Sequence, residues 1–94
     1  MTENDRVVLM REVWKNLSGV SQQTLIRFQN EFDSTKPYDE FVVAQNDIIR
    51  TCLELERADI GKIVRSELQL PEFPEDLYHR VMAAIGPGED HVPE

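Results

Sequence analysis

The residues whose types and spacing could do chemistry are His79 with Glu75 and Asp76, Cys52, and the pair Glu54 and Glu56. On a helix, Glu75 and Asp76 fall one turn before His79, which brings all three within reach of one another. Nitrogen and oxygen donors of this kind suit a divalent metal, but a metal site needs further ligands converging from elsewhere. The other histidine, His91, stands in a stretch that reads as a floppy tail, and Cys52 is the single cysteine. The expected role of His79 is therefore a solvated imidazole flanked by carboxylates. Cys52 falls within an apolar stripe, where a thiol is buried and inert; a reactive one needs an exposed, electropositive setting. Glu54 and Glu56 point to different faces of a helix and make no acid–base pair. Gly86 and Gly88 read as a helix stop and not as a phosphate loop. No serine, histidine and aspartate are spaced as a nucleophilic set. The expectation is a protein that is not an enzyme and holds no metal and no cofactor.

The elements that would position such residues must come from one modest core. A chain of 94 residues makes one domain, and at that length folding buries roughly 60–65% of the unfolded surface. The apolar share of 40% is enough for a folded unit, and 30% charged residues leave no apolar run near a membrane span. Glu3, Asp5 and Arg6 interrupt the amino-terminal stretch, so no secretory signal is read there. A lone cysteine makes no internal disulfide and fits a reducing compartment, which points to the cytoplasm.

Apolar residues recur with helical period through most of the chain. Val7, Met10, Val13, Trp14 and Leu17 predict a first helix over 5–17, capped by Asn4 or Asp5, with Trp14 in the core. Ser21 reads as the cap of a second helix over 21–33, whose buried stripe is Leu25, Phe28 and Phe32. Asp33, Ser34 and Pro37 then break the chain. A third, central helix is expected over 39–68, because no proline interrupts it. Its stripes are Phe41, Ile48, Cys52 and Leu55 beside Val42, Ile49, Leu53, Ile60 and Val64, with Gly61 as a point where it could bend. Pro71 and Pro74 break the chain again before a last helix over 74–85, with Leu77, Val81 and Ile85 on one face. The expected fold is all-α: a four-helix domain over 1–85 with a long central helix and an amino-terminal helical hairpin, then a flexible acidic tail over 86–94.

One segment, Trp14-Lys15-Asn16 followed by LSGVSQQTLIRFQN, resembles the helix-turn-helix of phage-repressor-type DNA-binding proteins. The residues that carry the likeness are Leu17, Ser18, Gly19, Val20, Ser21, Gln22, Thr24, Leu25, Arg27 and Phe28. Gly19 would allow the tight turn, Val20 would plug the corner, and Leu25 and Phe28 would bury the inner face. The resemblance implies a small DNA-binding regulator in which Ser21, Gln22, Gln23, Thr24 and Arg27 meet the major groove.

Charge divides the chain in the same way. The net charge is −8. Residues 11–30 alone are net positive, with Arg11, Lys15 and Arg27 against Glu12. Residues 71–94 set Glu72, Glu75, Asp76, Glu89, Asp90 and Glu94 against Arg80. An acidic surface repels phosphates, so a second function stays open: an acidic helical adaptor or inhibitor that docks a protein, such as a basic nucleic-acid-binding partner. The wide apolar face of the third helix predicts self-association as a homodimer.

Overall fold

Thr2 and Asp5 close the first turn of the molecule. The Thr2 hydroxyl accepts from the Asp5 amide at 3.1 Å, and the Asp5 carboxylate accepts from the Thr2 amide at 3.4 Å. This capping box starts helix α1, Glu3–Asn16, earlier than the sequence predicts, because it pairs Asp5 with a cap three residues upstream. The computed structural model describes residues 2–86, so the expected tail from residue 87 onward, with His91, lies outside the described residues.

Four further helices follow among the described residues: α2 Gly19–Glu31, α3 Tyr38–Arg57, α4 Asp59–Glu67 and α5 Glu75–Ile85. The all-α expectation holds. The undivided third helix does not, since Ala58 ends α3 and caps α4 in a single extended residue, φ −69° and ψ 163°. Gly61 explains the corner. A Cβ on Gly61 would lie 1.7 Å from the Leu55 carbonyl oxygen, so the first turn of α4 rests directly on the last carbonyls of α3. Only a residue without a side chain allows that approach. Gln69, at φ 62°, ends α4 in a left-handed turn, with the Leu70 amide donating to the Arg65 carbonyl at 2.8 Å.

The core is shared by four elements and one loop residue. Leu9, Val13 and Leu17 come from the first helical segment, Leu25 from α2, and Ile49, Cys52 and Leu53 from α3. Phe73 precedes α5, which adds Leu77 and Val81. α1 lies against α5, and α2 against α3. Leu53 and Val81 have no exposed surface at all. Around this core, Phe28, Phe32 and Phe41 form an aromatic cluster with centroids 5.2–5.5 Å apart, so Phe28 and Phe32 are half-buried rather than core residues.

Trp14 departs from expectation. It is 39% exposed and Val7 is 47% exposed. Two helical stripes were available on α1, and packing against α5 selected Leu9–Val13–Leu17 over the one through Val7 and Trp14. No helix of the described residues is long and apolar enough to cross a membrane.

Candidate functional site

The helical code of α4 runs opposite to that of the other helices. Its residues Ile60, Ile63 and Val64 follow i, i+3, i+4, an apolar stripe of the kind that normally faces a core. Here Ile60 is 61% exposed, Ile63 58% and Val64 37%, while Arg65 on the other side is 3% exposed. Gly61 and Arg65, one turn apart, form the face that meets the rest of the molecule.

Arg65 is held by a network built from three separate segments. Its guanidinium pairs with Glu56 of α3, and it donates to the carbonyl of Asn16 at 2.9 Å and to that of Pro71 at 2.7 Å. The ring of Phe73 lies 5.6 Å beneath it. The other Glu56 oxygen accepts three hydrogen bonds: from the Ser18 amide at 3.1 Å, the Ser18 hydroxyl at 2.8 Å and the Ser21 hydroxyl at 2.7 Å. Burial alone would raise the Glu56 carboxyl. The bonds from Ser21, Arg65 and Ser18 together outweigh it and hold the group below the usual glutamate range. An ion pair this deeply buried survives because its oxygens and N–H groups are bonded.

This network rewrites the segment that resembles a repressor motif. Ser18, not Ser21, stands at the α2 cap position, and its hydroxyl serves Glu56 instead of the helix. Ser21 is buried at 6% exposure, so it does not share the open face with the other residues expected to meet DNA. Gly19 is the first residue of α2, and its φ is not positive. The turn is made instead by Leu17 and Ser18, both extended. Gln23, Thr24 and Arg27 are exposed as expected, and Gln22 is half-buried with its amide donating to the Trp14 carbonyl at 2.9 Å. Arg11, Lys15 and Arg27 are exposed and form no ion pair with a described side chain.

Above the buried pair the surface is open and apolar. A groove of about 180 Å³ runs between the start of α2 and the corner of α3 and α4. Val20, Leu55, Ile60 and Val64 wall it, and Ser21 and Glu56 lie at its base. Val20 is 66% exposed, and Leu55 is 52% exposed where the sequence predicted an inward stripe. Ile63 extends the apolar surface along α4. Sequence periodicity put Leu55, Ile60 and Val64 on one wide apolar face too large for the core alone, but it did not show which part of that face stays open. The signal available was Gly61 with Arg65 one turn later, the spacing of a close, polar-faced contact.

The residues weighed for catalysis are employed otherwise. Glu75 is bonded to Arg57, which holds its carboxyl below the usual range, and Asp76 accepts from Arg80 at 3.0 Å. Glu54 accepts from the Tyr78 hydroxyl at 2.7 Å. Cys52 is buried; burial pushes its thiol up against the smaller opposing pull of Ser21. Among the described residues, no group of three His, Cys, Asp or Glu side chains is placed to hold a metal. Comparison of the chain with protein-family models, with curated proteins and with solved structures returned no match.

Proposed function

We propose that this chain is a non-enzymatic protein-interaction module, an adaptor or inhibitor whose docking surface is the outward face of α4 with the adjoining groove. One observation carries the reading: α4 is seated with its arginine inward and Ile60, Ile63 and Val64 outward. Isolated exposed apolar residues are ordinary, but a contiguous apolar stripe on one helix marks an interface. The burial of Arg65 gives α4 a fixed seat that leaves most of Ile60 and Ile63 uncovered and available to a partner. The test is a pull-down with the intact protein and with the double variant Ile60→Ser/Ile63→Ser. Proteins retained by the first and lost by the second, at unchanged melting temperature, identify the partner. Equal retention by both removes α4 as the docking face.

A second reading has its own support. Gln23, Thr24 and Arg27 lie exposed on α2, and Arg11 and Lys15 on α1 add free positive charge in the one net-positive stretch. Under this reading the chain is a DNA-binding regulator that reads bases with α2 and phosphates with α1. A low-salt titration against mixed genomic fragments tests it. Arg27→Ala or Gln23→Ala should then cost about 1–3 kcal/mol at a true base contact, and absence of binding at low salt ends it.

A further inference from the structure

We infer that the occupant of the α4 face is a single amphipathic helix of another protein, with an apolar stripe flanked by lysine or arginine. This rests on the interaction reading above and adds the partner's chemistry to it. The fringe of the apolar stripe decides the charge. Asp59 precedes Ile60 at one end, and Glu67 lies in line with Ile60, Ile63 and Val64 at the other. Both are exposed, and neither forms an ion pair with a described side chain. Of the two cations of α4, Arg65 is buried and Lys62 is turned the other way: it lines the cleft with Glu72 and Glu75 and acts on the Glu75 carboxyl. The docking stripe is thus apolar along its length and negative at both ends.

That pattern discriminates between occupants. A second copy of the chain would bring its own Asp59 and Glu67 to the contact, and each copy carries a net charge of −8. An anionic lipid surface is repelled by the same carboxylates. An extended strand gains affinity from free backbone groups at a sheet edge, and this face is a helix whose backbone is already paired. A helix with i, i+3, i+4, i+7 anchors fits the ridge of Ile60, Ile63 and Val64 and the groove beside it. α4 has 9 residues and spans about 13.5 Å at 1.5 Å per residue, so an occupant of about three to four turns covers it.

Two labelled peptides of about fourteen residues test this. They share one leucine stripe and differ only in flanking residues, lysine in one and glutamate in the other. Each is titrated with the intact protein by fluorescence anisotropy. The lysine peptide is expected to bind about tenfold tighter than the glutamate peptide, the scale of two rim ion pairs exchanged for repulsions. Its affinity should fall as salt rises, and Ile60→Ser/Ile63→Ser should remove it. Asp59→Lys/Glu67→Lys should invert the preference while both variants keep the parent's circular dichroism. Equal binding of the two peptides, no effect of charge reversal, or a homodimer that Ile60→Ser/Ile63→Ser dissociates would overturn the inference. So would failure of both peptides. If proteins in the pull-down still depended on Ile60 and Ile63, that failure would leave the interaction reading standing.

Discussion

α4 and α5 are both short amphipathic helices, and they are seated in opposite senses. α5 turns Leu77 and Val81 inward and leaves His79 and Arg80 in solvent. α4 turns Arg65 inward and leaves Ile60, Ile63 and Val64 in solvent. α5 is the more apolar of the two, yet both carry an apolar stripe that could face a core. What differs is the surface each meets. α5 packs on the apolar side of α1, against Leu9, Val13 and Leu17. α4 closes over Glu56, a buried carboxylate that already accepts from Ser18 and Ser21 and requires a cation on its free oxygen. A buried charge left alone costs far more than an isoleucine left wet. The orientation of a helix is therefore set by the most expensive group beneath it.

The comparison breaks first if Arg65 proves dispensable. Arg65→Ala strands the Glu56 charge and should cost about 3–5 kcal/mol of folding stability in urea denaturation. The double change Glu56→Gln/Arg65→Met should cost distinctly less than the two single changes added together, because each single change leaves its partner uncompensated. Leu77→Ala probes the opposite helix and should cost about 2–5 kcal/mol by leaving a core cavity. A small effect at Arg65 beside a large one at Leu77 would mean that α4 is only loosely attached.

Acid sharpens the same point. The folded pKa of Glu56 is lowered, so its stabilising contribution is fully present above the ordinary glutamate value of about 4.3. It is lost as pH falls from there through the depressed folded value. Urea melts from pH 7 down to pH 3 should show this loss, and Glu56→Gln should flatten it. An unchanged acid limb in that variant would place the titration elsewhere.

The glycines give a paired test of intermediate size. Gly61→Ala drives a methyl group into the Leu55 carbonyl and should destabilise by about 1–3 kcal/mol or more. Gly19→Ala meets nothing within 4 Å and should be neutral or stabilising by up to about 1 kcal/mol. At the end of α4, Gln69→Gly relieves a left-handed residue and should gain about 1 kcal/mol. The smallest effect is expected on the face proposed to dock: Ile60→Ser/Ile63→Ser should leave stability within about 0.5 kcal/mol per site. A large loss there would show those side chains to be structural.

Much of the fold is legible in the sequence. Helical period, the prolines at 37, 71 and 74, and Gly86 located the ends of most helices, since these signals act through backbone sterics within a few residues. The Thr2–Asp5 box is equally local, but Asp stands where the motif usually has Glu or Gln, so the pattern does not announce it. The site was less legible. Gln23, Thr24 and Arg27 were rightly placed on an open helix face. Ser21 was not, because its partner Glu56 lies 35 positions away.

By itself the sequence determined that the chain is helical, where most of its helices stop, which residues have the polarity of a core, and that it is acidic. Those properties follow from periodicity, backbone restriction and composition, all readable over a few residues. Only the tertiary structure decided which of two stripes on α1 went inward, that Ala58 divides the third helix, and that α4 shows its apolar side to solvent. The α1 stripe depends on α5, far along the chain, and the seat of α4 joins Arg65 to Asn16 as well as to Glu56; the corner at Ala58 is nearer in sequence, Gly61 lying against the Leu55 carbonyl six positions before it. A stripe of isoleucines states that something apolar will cover it. Whether the cover is the protein's own core or another molecule depends on what else must be buried first.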